Sequence, residues 1–454
     1  MRFYLALWFS KFLNFIINII DDSKGSNFSG EKALKIDPLF ISHFKSIDFS
    51  KVIFITGTNG KSTTNNLTNH IVKKSGYKVV SNLEGANLTS GIATALLKSS
   101  TLGGRVLSDY YIFETDERFL PLIHEQLPAE NLLITNLQKD QIQRNGDPDF
   151  IYSKIKRFLM NNKLRLFINN DEPRSKALED YAGETIRYGV EKHAKAFNKD
   201  DTYVTMPCPK CFHSIEIDYY NNDGMGRFRC SNCDHMSSDN PDYLITDVDY
   251  TNNNFKFKNV TFSMPYPVPY MLYDYAAALS IANSLCKISP VEATDALTDF
   301  KNIGGRYEVL HYKGKTIKYM RIKQENPETL QNSLNVIADD PNPKMLALGL
   351  CTLADMIPYY AVTFYAFDCD FSRLANDSFE KYFCFSDTVC FDTANRLIYE
   401  GIDPDKITIE NSEDLEAIFR EISSVETDNI YMITKLDTFE AMKKYLKKEG
   451  AEDE

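Results

Sequence analysis

Three residues in a row carry the first chemistry in this chain. Lys61, Ser62 and Thr63 close the stretch VIFITGTNGKST, residues 52–63. An ammonium beside a hydroxyl is the pair that holds a polyphosphate, the lysine on the terminal phosphates and the hydroxyl on Mg²⁺. Gly57 and Gly60, with Thr58 and Asn59 in the same loop, permit a tight backbone whose N–H groups converge on one anion. Residues 52–55 are β-branched or aromatic and read as a buried parallel strand. Thr63 onward opens a helix whose N-terminus favours negative charge. Ile55 stands where the usual loop has its first glycine. Strand, loop and helix in succession nonetheless predict a nucleotide and Mg²⁺ site, with Lys61 as an exposed loop lysine.

A second constellation follows at CPKCFHSIEIDYYNNDGMGRFRCSNCDHM. Cys208 and Cys211 are separated by two residues, as are Cys230 and Cys233, with eighteen residues between the pairs. This is the spacing of a four-thiolate zinc ribbon. Four cysteines leave no coordination position for water, so the expected Zn²⁺ role is structural. His213 and His235 lie nearby and are expected as surface residues. Cys286, Cys351, Cys369, Cys384 and Cys390 show no paired spacing and are expected as small buried apolar residues.

The elements that must position these groups are legible as an alternation. Strand-like runs occur at 52–56, 78–81, 110–114, 131–135 and 165–169, with helix-like stretches between them. That is the pattern of an α/β fold with a doubly wound parallel sheet, whose ligands sit beyond the carboxyl ends of the strands. Polar residues cluster at three such ends: Glu114, Asp116 and Glu117; Asn136, Asp140 and Arg144; and Asn169, Asn170 and Asp171. Glu114 is the best candidate for a second Mg²⁺ contact, since Mg²⁺ requires a hard oxygen beside the phosphates.

The chain has 454 residues, 43% hydrophobic and 25% charged, enough for two or three domains. A net charge of −12 argues against a general nucleic-acid surface. Nine cysteines without a cleavable signal pattern fit a reducing, cytoplasmic setting. Residues 2–20 are strongly apolar, yet Lys11, Asn14 and Asn18 recur at helical spacing and form a polar stripe. A charge in mid-span is costly in lipid. The segment therefore reads as an amphipathic helix, packed on the protein or a partner, or lying at the inner face of the plasma membrane.

GTNGKST at 57–63 resembles the ATP loop of the Mur ligases, which join amino acids to peptidoglycan precursors. The nearer resemblance is to the MurT family, the ligase-like subunits of lipid II isoglutaminyl synthase. ALKIDP at 33–38, EGAN at 84–87 and FETDE at 113–117 look like family motifs. TNLQKDQIQRNGD at 135–147, GGRYE at 304–308 and SDTVCFDTANRLIYEGI at 386–402 are similar to later ones, and an inserted four-cysteine ribbon sets MurT apart from other Mur ligases. The resemblance implies a leader at 1–48, a central ATPase domain at 49–300 with the ribbon at about 203–240, and a smaller α/β ligase domain at 301–454. It implies ATP-dependent amidation of D-glutamate in lipid II through an acyl phosphate, with ammonia from a GatD-like glutaminase partner. Nucleotide contacts are implied at the loop and at Asn169, Asp274 and Arg306, and acceptor contacts at Asn87, Asn136, Asp140, Arg144 and Asn326.

The sequence departs from this pattern in its later part. QENPET at 324–329 keeps only Asn326 and Pro327 of the family's Lys-Asn-Pro-Ala-Gly element. Met271 and Asp274 stand at two family asparagines. In CTLADMIPYYAVTFYAFD, 351–368, Val362 falls at the aspartate thought to complete the partner's Cys–His pair, so that either Asp355 or Asp368 substitutes, or the partner differs, or ammonia delivery is lost. A Mur-type ligase of another carboxylate, or a nucleotide-binding subunit without turnover, stays open.

Overall fold

The computed structural model describes residues 1–20, 27–83, 87–139, 147–198, 206–222, 224–300, 307–320, 326–351, 368–448 and 452–453. The chain forms two compact units, Met1–Gln138 with Asp147–Asn302, and Lys139–Gly146 with Ile303–Glu454.

The first unit runs α1 (Arg2–Ile20), α2 (Phe28–Ile36), β1 (Val52–Thr56), α3 (Lys61–Lys74), β2 (Val79–Val80), α4 (Thr89–Ser99), β3 (Tyr110–Glu114), α5 (Leu120–Gln126), β4 (Asn131–Ile134) and α6 (Pro148–Asn161). It continues with β5 (Arg165–Asn169), α7 (Pro173–Ala177), β6 (Glu184–Val190), β7 (Ile215–Asn222), β8 (Met225–Cys230), β9 (Tyr243–Asp249), β10 (Asn254–Phe257), β11 (Val260–Ser263), α8 (Pro269–Ser284) and α9 (Pro290–Thr298). Nine of these strands make one sheet, ordered β11-β10-β9-β6-β5-β4-β1-β3-β2. The strands from β2 to β9 in that order are parallel, and β10 and β11 form an antiparallel edge. The five expected strands are all present, with 78–81 reduced to Val79–Val80.

All five residues of β1 are buried because both faces of the sheet are covered. Ile53 and Ile55 pack into a core shared with Leu67 and Ile71 of α3 and Leu279 of α8. Val52 and Phe54 pack into the opposite core with Leu7 of α1, Ala33 of α2 and Leu96 of α4. The chain leaves β1 to one side for β2 and β3, then crosses to β4 on the other. The carboxyl end of β1 is therefore the switch point, where such sheets open a crevice.

Lys11 and Asn14 of the α1 polar stripe face inward. Lys11 Nζ donates to Leu97 O at 2.7 Å and to Ser100 O at 2.6 Å, satisfying carbonyls at the end of α4. Asn14 accepts from Ser29 Oγ on α2, and Phe3, Ala6, Leu7 and Ser10 are buried beside them. Burial lowers the Lys11 pKa. No described helix is long and apolar enough to cross a membrane.

The second unit contains β12 (Tyr307–Tyr312), β13 (Lys315–Met320), α10 (Pro327–Asp339), β14 (Lys344–Gly349), β15 (Phe379–Phe385), α11 (Cys390–Tyr399), β16 (Ile407–Glu410), α12 (Leu415–Ser424), β17 (Asn429–Thr434), α13 (Leu436–Lys448) and β18 (Glu452–Asp453). Its sheet is ordered β16-β15-β14-β17-β13-β12-β18, parallel from β16 to β13 and antiparallel beyond. Helices cover both faces, α10 and α11 over one core and α12 and α13 over the other. The five cysteines outside the ribbon are all buried and unbridged, as expected of small apolar residues.

Replacing Lys11 with Met keeps the apolar stem of the side chain and removes two charge-assisted hydrogen bonds. The cost should be about 1–3 kcal/mol, read as a lowered thermal midpoint. An unchanged midpoint would mean that water caps α4 equally well.

Candidate functional site

The loop between β1 and α3 is a built cradle. Gly57 and Gly60 have φ of 124° and 83°, conformations that L side chains rarely adopt. A Cβ on Gly57 would lie 2.2 Å from Thr135 Oγ1, and one on Gly60 2.3 Å from Asp274 Oδ1. The segment after β4 backs the loop. Thr58 N donates to Asn136 O at 2.8 Å. Asn136 accepts from Asn59 N at 3.0 Å and returns a bond to Asn59 O at 3.1 Å. Gln138 receives Asn59 Nδ2 on its side chain at 2.9 Å, and its backbone N donates to Thr58 Oγ1 at 3.0 Å. Helix α3 starts directly behind, its first internal bond running from Thr64 N to Gly60 O at 2.8 Å, so its positive end points into the loop.

Lys61 is not the exposed lysine expected of a loop; its side chain is 8% accessible. Its ammonium donates to Gly57 O, to Thr58 O at 3.2 Å and to Glu117 Oε1 at 2.9 Å. The helix turn draws it back over its own loop, and Glu117 supplies the opposite charge that burial demands. Ser62 is exposed at the mouth. Glu114 ends β3 opposite Ile55 of β1. Asn82 fixes the Glu114 backbone, accepting from its N–H and donating to its carbonyl, both at 2.9 Å. Asn87 Nδ2 reaches Glu114 Oε1 at 3.3 Å. Burial disfavours the Asp116 charge, but the Arg118 guanidinium and N–H outweigh it and hold that carboxyl below its usual range.

Loop residues 57–63, Glu114, Asn136 and Asp274 thus meet around one strand end. Asp274, at the start of α8, also accepts from Thr64 Oγ1 at 3.2 Å. Asn169 is fully buried behind the loop, donating to Thr135 O at 3.2 Å. In the second unit, Asn326 caps α10 by accepting from Thr329 N at 3.0 Å. Asp368 lies 3.4 Å from Lys139. Asp140, Arg144, Arg306, Asp355 and Val362 fall outside the described residues. The sequence reading passed over Asn82, Gln138 and the pairing of Glu117 with Lys61. Gln138 stands within a motif it had quoted, whereas the Asn82 role needs the β2–β3 adjacency that only the fold supplies.

The four ribbon cysteines converge, all Sγ atoms within 4.8 Å of one another. Cys208 and Cys233 are 3.7 Å apart and Cys211 and Cys230 3.4 Å. Tetrahedral zinc at a Zn–S distance of about 2.3 Å needs sulfurs roughly 3.8 Å apart, so the donor set fits Zn²⁺. β7 and β8 form the antiparallel hairpin that carries the second pair. His213 is exposed, while His235 is buried and bonds Pro173 O at 2.9 Å. Neither belongs to the cluster, and the expectation of a surface position fails for His235 because its ring packs against Phe228 inside the ribbon, tilted at 56° with centroids 5.0 Å apart.

Asp171 ties the ribbon to the nine-stranded sheet. Its carboxylate accepts from Val190 N at 2.9 Å, Tyr273 OH at 3.1 Å and Asn170 Nδ2 at 3.3 Å, and its carbonyl accepts from Gly226 N at 2.9 Å. Complete burial raises its pKa to about 6 despite these donors.

Zinc analysis should return one ion per chain, and Cys230→Ser should lower both occupancy and thermal midpoint, because structural zinc is coupled to folding. An equally stable metal-free protein would refute the ribbon. For Asp171 the sign is set by proton uptake. Between pH 4 and 6 the native state keeps a proton that the unfolded chain releases, so stability falls as pH rises through that window and is flat above it. The loss is about 3 kcal/mol. Relative to wild type, Asp171→Asn should gain by this amount between pH 4 and 6 in urea unfolding; a constant difference would contradict the shifted carboxyl.

Residues 55–233 match the Mur ligase middle domain family and residues 324–442 the MurT ligase C-terminal family. A relative from Streptococcus pneumoniae, the MurT subunit of a glutamine-hydrolysing lipid II isoglutaminyl synthase, is 27% identical over 437 residues, 92% of this chain and 91% of its own. A pseudomurein peptide ligase type C from Methanothermus fervidus superposes with a TM-score of 0.67 at 18% identity, over 90% of this chain and 80% of its own. MurF ligase from Thermotoga maritima in complex with ADP gives 0.56 at 16%, over 93% and 85%. The structural likenesses show the fold, and the matched domains carry the assignment: the chain belongs to the Mur ligase family, as a MurT-type member.

Proposed function

We propose that this chain is the ATP-using subunit of an amidoligase that converts the D-glutamate α-carboxylate of a lipid II stem peptide to D-isoglutamine. The observation that carries the reading is the loop 57–63, braced at the switch point of a Mur-type sheet, in a chain with a MurT-type C-terminal domain. A carboxylate oxygen is a poor leaving group. Transfer of the terminal phosphoryl of ATP to that oxygen gives an acyl phosphate and ADP. Ammonia then attacks the carbonyl carbon, phosphate leaves with the C–O bonding pair, and a proton is lost to give the amide. Lys61 would exchange its loop carbonyls and Glu117 for phosphate oxygens and stabilise the charge in transfer. Ser62 and Glu114 would hold Mg²⁺, which when bound neutralises phosphate charge. Asp274 and the loop amides would seat the nucleotide, while Asn87, Asn136, Asp140, Arg144 and Asn326 are the acceptor candidates. Ammonia would come from a GatD-like glutaminase.

One observation favours a second reading, a Mur-type ligase joining an amine to another carboxylate. Val362 stands where the family aspartate would orient the partner's histidine, and a valine cannot do so.

The deciding experiment is mass spectrometry of lipid II incubated with the protein, ATP and either ammonium or glutamine with a GatD-like partner. Amidation with ammonium is expected, and weak amidation with glutamine. Val362→Asp should recover part of the glutamine-driven rate. No mass change with ammonium would overturn the acceptor assignment. Lys61→Met in a Glu117→Gln background should lose activity about a hundredfold or more. The double change matters, because removing Lys61 alone strands a buried carboxylate at a cost of about 3 kcal/mol or more and would confuse misfolding with lost catalysis.

A further inference from the structure

The inward turn of Lys11 and Asn14 leaves the opposite face of α1 bare. Leu5, Trp8, Phe9, Phe12 and Phe15 recur at three- and four-residue spacing, and their exposures run from 51% at Phe9 to 63% at Phe12 and Phe15. The loop after α4 extends the patch. Trp8 Nε1 donates to Leu102 O at 3.0 Å, and Leu102 and Leu107 are each 69% exposed. Large apolar side chains gathered this way on a surface mark a contact with something apolar.

Around the patch Arg2, Lys45 and Arg105 are exposed, in a chain of net charge −12, while Lys11 is turned inward onto the α4 carbonyls. The exposed acids Asp48 and Asp109 accept locally, from Ser50 N at 3.1 Å and from Lys78 N at 2.8 Å. Lys45 pairs with Arg105 as a parallel bridge, and its Nζ lies 3.4 Å from Tyr4 OH on α1. The loop is held close, since a Cβ on Gly104 would lie 2.6 Å from the Phe3 ring. Of the acids on α2 and the turn after it, Glu31 pairs with Lys35 at 2.6 Å, and buried Asp37 is hydrogen-bonded to His43 Nδ1 at 2.8 Å.

We propose that this face docks on an anionic lipid bilayer, with α1 lying in the plane of the interface. Aromatic and leucine side chains would enter the headgroup–acyl boundary, the indole would sit at headgroup depth, and Lys45 and Arg105 would meet lipid phosphates. The inference goes beyond the proposed reaction and does not depend on which carboxylate is amidated.

Trp8 is the chain's single tryptophan, so its emission reports this face alone. Full-length, zinc-loaded protein is mixed with vesicles of phosphatidylglycerol and phosphatidylcholine, and separately with phosphatidylcholine alone. With the anionic vesicles a blue shift of Trp8 is expected, together with quenching by acyl-brominated lipid and co-sedimentation. Binding should fall about tenfold or more with phosphatidylcholine alone, with Lys45→Glu/Arg105→Glu, and with Phe12→Ser/Phe15→Ser. Unchanged Trp8 emission and no co-sedimentation of the wild type would overturn the proposal, a result that needs no variant to fold. So would a dimer in light scattering that Phe12→Ser/Phe15→Ser dissolves, because a second copy would then own the face. Lipid II amidation in detergent tests the reaction separately, and either result can fail without the other.

Discussion

The constraint on which the site depends is the insertion of β1 between two parallel neighbours. Val52–Thr56 pairs with β3 on one side and β4 on the other. Thr56 Oγ1 donates to Thr115 O at 2.9 Å, and Thr135 N donates to Thr56 O at 3.0 Å. The chain must then leave the sheet between Thr115 and Thr135 without striking either. Only a residue lacking Cβ passes Thr135 at this distance, so Gly57 is demanded by space as well as by φ. Every later feature of the loop follows from that exit. Asn59 falls against Asn136, Lys61 falls at the first turn of α3, and Glu114 is brought beside the carboxyl end of β1 by register.

What was legible in the sequence is what local chemistry determines. The strands could be read because both faces of a parallel sheet are buried and their residues are uniformly apolar. The ribbon could be read because tetrahedral thiolate geometry imposes its own spacing. The loop could be read despite Ile55 in place of a glycine, since Gly57 and Gly60 are the positions where the backbone is left-handed. The rest depends on neighbours distant in sequence. Lys61 seemed exposed because a loop position says nothing of Glu117, 56 residues away. Asn136 looks in sequence like any strand-end amide, yet both ends of its side chain are bonded to Asn59.

The first helix shows how periodicity can specify a helix and leave its orientation open. A stripe of Lys11, Asn14 and Asn18 on an apolar background ordinarily marks the wet side. Here α4 ends against α1, and its last carbonyls need donors that water cannot easily bring to a covered site. A lysine ammonium on a long stem supplies two of them. Lys11 and Asn14 are thereby recruited inward, beside the small residues Ala6 and Ser10 that let the helices approach. Phe3 alone of the described phenylalanines of α1 is buried there, while Trp8, Phe9, Phe12 and Phe15 are left outward.

The ribbon and the loop 57–63, though far apart in sequence, share one run of hydrogen bonds. Residues 169–173, which follow β5, hold both. On the ribbon side, Asn170 exchanges two bonds with Ser238 at 2.9 and 3.1 Å, Asp171 O accepts from Gly226 N, and Pro173 O meets His235. On the other side, Asn169 Nδ2 binds Thr135 O, and Thr135 Oγ1 bounds the space beside Gly57. A ribbon of this size has too little apolar core to hold its hairpin without a cross-link, since its buried cluster contains only four residues, two of them cysteines. Metal closure would therefore fix the hairpin, the hairpin the turn after β5, and that turn supplies part of the wall behind the loop. A zinc ion held by the four cysteines would in this way brace the loop proposed to bind nucleotide without touching the nucleotide.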